Sequence, residues 1–137
     1  MDRAVQLAGQ RSDADALGPA SFCIPQEVEN RWAVCLLELG RSGRAIEAFE
    51  RGLAELPATH YRNRGVFLGQ LAFAYAVQGI PDAAVSYGRQ AHEAARATAS
   101  HRIVSELKVL RSKLRVWEKL SAVAEFQRET EYIGRPG

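Results

Sequence analysis

Apolar residues along this chain recur at intervals of three and four, and no stretch of five or more alternates cleanly between turn signals. That pattern predicts helices and no sheet. Trp32, Ala33, Leu36, Leu37 and Leu39 form a first stripe. Pro25 fits the first turn of that helix, and Gly40 fits its stop. Gln26, Glu27 and Glu29 follow the proline, where carboxylates suit the positive end of the helix dipole. A second helix from Ser42 carries Ala45, Ile46, Ala48, Phe49, Leu53 and Leu56, and Pro57 ends it. A third runs from about Tyr61 to Gln78 with Val66, Leu68, Leu71, Ala72, Tyr75 and Ala76, and stops at Gly79. Pro81 opens a fourth, with Ala84, Val85, Tyr87, Ala91 and Ala95. A fifth begins near Ser100 with Ile103, Val104, Leu107, Leu110, Leu114 and Trp117 at helical spacing. A sixth covers about 120–133 with Val123, Phe126 and Ile133. Residues 2–9 fit a short helix fragment, 10–24 a loop around Gly18 and Pro19, and 134–137 a tail.

The helices come in pairs, and the pairs repeat. A shift of 39 residues carries Trp32 onto Leu71, Ala33 onto Ala72, Leu36 onto Tyr75 and Gly40 onto Gly79. It also carries Ala45 onto Ala84, Ile46 onto Val85 and Gly52 onto Ala91. Small residues recur where two antiparallel helices would approach closely, and glycine recurs at the turn, where a positive φ is cheap. Gly88 stands where Phe49 would recur, and Arg96 where Pro57 would. A third copy is degenerate: Leu110 and Leu114 match Leu71 and Tyr75, but Glu118 replaces the turn glycine. The expectation is an all-α chain with one repeat domain over 25–133, built from pairs at about 25–57, 61–97 and 100–133.

The run Trp32-Ala33, Leu36, Gly40, Ala45, Phe49, Gly52 and Pro57 resembles a tetratricopeptide repeat. Leu71-Ala72, Tyr75, Gly79, Ala84 and Ala91 resemble the next repeat, at a step longer than the usual ~34 residues. The resemblance implies a right-handed α-solenoid of three antiparallel helix pairs. Residues 62–91, 100–114 and 121–129 are in addition similar to the C-terminal part of bacterial Cro/repressor-type (XRE family) transcriptional regulators. Those carry a helix-turn-helix reader before a tetratricopeptide-like sensor. Too few residues precede position 20 for such a reader, so the expectation is the sensor part of a longer protein or a stand-alone relative. Direct nucleic-acid binding is not expected of this segment.

The family geometry also implies a concave groove lined by the first helix of each pair. Carrying the 39-residue shift through it aligns Asn30 with Gly69 and Lys108, Val34 with Phe73 and Ser112, Leu37 with Ala76 and Arg115, and Glu38 with Val77 and Val116. The groove would be acidic at the Glu38 end, apolar around Phe73 and basic at Lys108 and Arg115. It would take a peptide, a protein or a small signal molecule. Phe73 could instead pack against a neighbouring helix. Arg62 and Asn63, at the mouth of the third helix, could reach a ligand backbone or cap that helix.

Composition adds limits. The chain has 137 residues, 47% hydrophobic and 25% charged, with a formal net charge of +2. That fits a single soluble domain. Residues 1–60 hold six Arg against nine Asp and Glu, whereas 61–137 hold twelve Lys and Arg against seven acids. Much of the excess lies in Arg102, Lys108, Arg111, Lys113, Arg115 and Lys119, which form either a patch for an acidic partner or a solvated helix face. No phosphate loop, dinucleotide fingerprint or hydrolase motif is present. His60, His92 and His101, with Cys23 and Cys35, show no metal-ligand spacing. Cys35 reads as a small core residue, and Glu27, Glu29 and Glu38 as solvated helix partners. Neither an export signal nor a membrane-spanning run is seen, so a cytoplasmic location is expected. The combined expectation is a non-catalytic binding module needing neither cofactor nor metal, with a dimerisation or scaffold module as the alternative and a homodimer as a possible assembly.

Overall fold

A computed structural model describes residues 25–134. The fragment and loop expected over 1–24, and most of the tail, lie outside the described residues. Those described form six α-helices: α1 (Pro25–Glu38), α2 (Ser42–Glu55), α3 (Tyr61–Gln78), α4 (Pro81–Thr98), α5 (His101–Leu114) and α6 (Ser121–Glu129). Short 3₁₀ turns follow α5 and α6 at Arg115–Trp117 and Glu131–Gly134. No strand occurs among the described residues. The chain divides into two compact units at Leu56/Pro57.

The first unit contains the α1–α2 hairpin. Ala33, Leu36, Ala45, Ala48 and Phe49 are buried in it, with Gly52 beside them. Gly40 takes φ +78°, and the amides of Gly40 and Arg41 close onto the carbonyls of Leu37 and Leu36 at 3.0 and 2.8 Å. This is a Schellman cap, in which a left-handed residue satisfies the last carbonyls of the helix. Leu56 adopts the extended backbone required before a proline, so α2 ends at Glu55. Two expectations fail here. Leu39 lies beyond the last residue of α1, next to the left-handed Gly40, and is 70% exposed. Cys35 is exposed because it falls between Ala33 and Leu36 in sequence but off the face they share. Glu29 is also not a solvated partner. It is 1% exposed, and Arg51 Nε of α2 donates to its Oε1 at 2.8 Å.

The second unit starts with the same hairpin grammar. Gly79 takes φ +87°, and the amides of Gly79 and Ile80 reach the carbonyls of Ala76 and Tyr75 at 3.1 and 2.9 Å. Pro81 then occupies the first turn of α4, where its missing N–H leaves nothing unpaired. Along α3 and α4, Gly65 faces Ala94, Gly69 faces Ala91, and the rings of Tyr75 and Tyr87 stack 5.5 Å apart. The two helices are therefore antiparallel. Ser100 caps α5, its hydroxyl accepting from the Ile103 amide at 3.3 Å. α5 runs parallel to α3, because Gly65 meets Ile103 and Gly69 meets Glu106. α6 runs parallel to α4, because Gly88 meets Phe126 and Arg89 pairs with Glu129.

Gly88 shows why the repeat pattern breaks where it does. A Cβ there would lie 2.8 Å from Leu110 Cδ2 and 3.0 Å from Phe126 Cζ. The ring that Phe49 supplies from within the first unit is supplied in the second by Phe126, brought in from α6 across Gly88. The C-terminal segment is then pinned to α5. Arg111 Nη1 donates to the Gln127 carbonyl at 2.8 Å and to the Thr130 hydroxyl, while Gln127 Nε2 donates back to the Arg111 carbonyl at 3.0 Å.

Close packing at Gly65 can be measured. A Cβ there would sit 2.8 Å from the Ala94 Cβ and closer still to Ile103 Cδ1. Alanine adds helix propensity of up to about 1 kcal/mol, whereas overpacking costs about 1–3 kcal/mol. Gly65→Ala is expected to lower the unfolding free energy by about 1–2 kcal/mol in denaturant titration. An unchanged or higher value would mean that α3, α4 and α5 are not held at this spacing.

Candidate functional site

In the second unit, α3 and α5 lie side by side and in the same direction. The register set by Gly69 and Glu106 builds a strip between them. On α3 the strip carries Arg62, Gly69 and Phe73 at seven- and four-residue intervals, which is one helix face. On α5 it carries Arg102, Glu106 and Lys113, also at helical spacing. The floor is the glycine, against which the Glu106 methylenes pack. Phe73 is half-buried, while Arg62, Arg102 and Lys113 are exposed. An amphipathic strip of this kind can hold an apolar side chain on Phe73 and pair carboxylates with the flanking cations.

Glu106, the carboxylate of this strip, is not among the residues expected from the sequence to line the groove. Burial pushes its carboxyl above the usual glutamate range, and the Arg102 guanidinium one turn earlier partly offsets the push. Two features of the sequence point to it. It is the one acid between residues 101 and 117, and it follows the buried Ile103 by three positions.

The other expected groove residues separate. α5 buries Ile103, Leu107, Leu110 and Leu114 on its inner face. At 100° per residue, Lys108 and Ser112 point away from that face; both are exposed, as is Arg115 in the turn that follows α5. They do not join Phe73. The 39-residue shift makes Lys108 the counterpart of Gly69, but the α5 residue that packs against that glycine is Glu106, two positions before Lys108. In the first unit, Asn30 is buried and Glu38 is exposed as the last residue of α1. Arg62 and Asn63 are exposed in the first turn of α3, and no side chain caps that helix at His60.

Two further features belong to the second unit. An open cleft of about 290 Å³ runs between α3 and α4, with Leu68, Ala94 and Ala97 along it and Tyr61, Arg64 and Glu93 among its polar lining. On the outer side of α4, His92 Nε2 and Tyr132 Oη share a 2.6 Å hydrogen bond. Burial depresses the His92 pKa, Arg96 depresses it further, and Glu129 and Glu93 oppose them. Arg89 adds surface ion pairs to Glu129 and Glu125 at 3.3 and 3.8 Å.

No known family, curated protein or solved structure matches this chain. Among the described residues, no group of three or more His, Cys, Asp or Glu is placed to hold a metal ion. No described helix is long and apolar enough to cross a membrane.

Two pH effects follow from the geometry. The raised Glu106 pKa means that its contribution to stability is complete below the ordinary glutamate value and is lost as pH rises through the folded value. Glu106→Gln is expected to stabilise the chain at neutral pH, the gain vanishing in acid. Identical denaturation midpoints for the two proteins at pH 7 would contradict it. His92 has the opposite sign: its contribution is present above 6.5 and is lost as pH falls through the depressed folded value. Thermal unfolding across that range should show stability falling with pH in the native chain, and a shallower fall in His92→Gln.

Proposed function

We propose that this chain is a non-catalytic, tetratricopeptide-like interaction module that binds an extended peptide segment of a partner along the α3–α5 strip. The observation that carries the proposal is directional alternation in the second unit: α3 and α5 run one way, and α4 and α6 run the other. Stacked helical hairpins have this arrangement, and such stacks present one set of parallel helices as an elongated binding surface. Two Schellman turns with the same hydrogen-bond pattern, at Gly40 and Gly79, and buried alanines at equivalent positions of both hairpins give the reading further support. On the resemblance to Cro/repressor-type regulators, we place the module in bacterial transcriptional control, in the cytoplasm, as the part that senses a ligand or partner.

Phe73 would receive an apolar side chain of the peptide. Arg62, Arg102 and Lys113 would orient its acidic groups, and Glu106 would meet a backbone amide or a basic group. Ligand seated between two parallel helices favours one spacing of them over another, which is how binding would reach the rest of a regulator.

The test begins with selecting dodecapeptides from a displayed library against the full chain, then measuring the selected peptide by calorimetry. Phe73→Ala is expected to weaken it by about tenfold, the scale of losing one buried aromatic anchor. Arg102→Ala is expected to weaken it severalfold. Selection of no peptide above background, or affinity unchanged in both variants, would remove the strip from the proposal.

A further inference from the structure

The face of α5 that turns away from the core has an order of its own. Ser105, Val109 and Ser112 on α5, and Val116 in the 3₁₀ turn that continues it, succeed one another at intervals of four, three and four. That is the spacing of a seam on which another helix packs. All four are exposed, Val109 at 50% and Val116 at 77%. Serines alternate with branched apolar residues, so the seam is neutral and stepped. Cations frame it on both sides: Lys108 and Arg115, seven residues apart, on one flank, and Arg102 and Lys113 on the other.

Within α5 no acid offsets them from the outer side; the exposed Glu118 follows only after the 3₁₀ turn. Glu106 is turned inward against Gly69. Arg111 is committed to Gln127 and Thr130 and contributes nothing to the outer face. The Lys108, Ser112 and Arg115 side chains that a concave groove would have claimed stand here instead. A second copy of the same helix would set cation against cation along the flanks, which disfavours self-pairing.

We propose that the outer face of α5, with the 3₁₀ turn that continues it, docks an acidic amphipathic helix of a partner protein. Its apolar stripe would cover Val109 and Val116, and its carboxylates would pair with Lys108, Lys113 and Arg115. Flanking charges of one sign select the partner and set its orientation, while the apolar seam supplies the contact area. The surface shares Arg102 and Lys113 with the rim of the α3–α5 strip, but Lys108, Arg115 and Val116 belong to it alone and Phe73 belongs to the strip alone, so the two sites can fail separately.

The probe is a fluorescein-labelled peptide of about 18 residues, five helical turns, with leucine at seam positions and glutamate on both flanks. Its anisotropy is followed against the full chain at about 50 mM salt, where exposed charges are weakly screened. The expected result is saturable binding. It should weaken by about tenfold in the double variant Lys108→Glu, Arg115→Glu, by about threefold in Val116→Ser, and by about tenfold when glutamine replaces glutamate in the peptide. All three substituted residues are exposed, and unchanged helical circular dichroism certifies the fold of each variant. The proposal is overturned if the peptide does not bind, if the double variant binds it equally well, or if the glutamine peptide binds equally well. A loss produced by Phe73→Ala in place of the double variant would move the peptide to the α3–α5 strip. Duplex DNA displacing the peptide at lower concentration than excess unlabelled peptide does would reassign the face to nucleic acid. Either result overturns the proposal.

Discussion

The second unit depends on how closely three helices approach along α3. Gly65 and Gly69 give that helix a bare ridge, and α4 and α5 press into it from two directions: Ala94 and Ile103 at the first glycine, Ala91 and Glu106 at the second. Because interiors are close-packed, a missing side chain on one helix dictates what its neighbours place there. Here the neighbours place alanine from α4 and a branched or long side chain from α5. This fixes the antiparallel and parallel relations together. It also brings the Glu106 carboxylate into a half-buried position that a bulkier residue at 69 would have denied it. The candidate strip is thus a by-product of the packing ridge.

The same constraint decides what could be read from the letters. Helices, caps and hairpins were legible because they depend on local chemistry: Pro25 and Pro81 in first turns, Gly40 and Gly79 in left-handed turns, Pro57 after α2. The burial of Ala33, Ala72, Ala45 and Ala84 was legible too, because small residues recur only where backbones come close. What was not legible is rotation about the helix axis beyond the second hairpin. The 39-residue interval relates the first two hairpins, and α5 does not keep it. Its packing against α3 is set by Gly65 and Gly69, which belong to α3 alone and have no glycine counterpart in the first hairpin, where Gln26 and Asn30 stand. An error of two positions turns a helix face by about 160°. It carried Lys108, Ser112 and Arg115 from the predicted groove to the outside, and left Glu106 unnoticed.

Gly88 is the instructive case of a departure that is itself structure. Taken alone it is a repeat position that lost its aromatic residue. Taken with Phe126 it is a repeat position whose aromatic residue comes from another helix. The space between α4, α5 and α6 is filled either way, and a pairwise alignment of hairpins cannot see the exchange because the filling residue lies 38 positions later. Leu39 and Cys35 fail for a simpler reason. One lies past the end of its helix and the other on the wrong side of it, and hydrophobicity alone reports neither.

Charge on α5 follows from this packing as well. A helix with four fully buried residues on one face, an arginine engaged with α6 and an inward glutamate has little freedom left in how it presents the remainder. Its outer residues are cationic or neutral, and its neutral ones fall in a line. If these cations served only solubility, nothing would require them to flank a line of neutral residues that includes valines at 50% and 77% exposure. Under the proposed docking, an acidic helix would cover that line and neutralise the flanks in one step. The inner and outer faces of α5 are then two consequences of one rotation, the rotation that Gly65 and Gly69 impose.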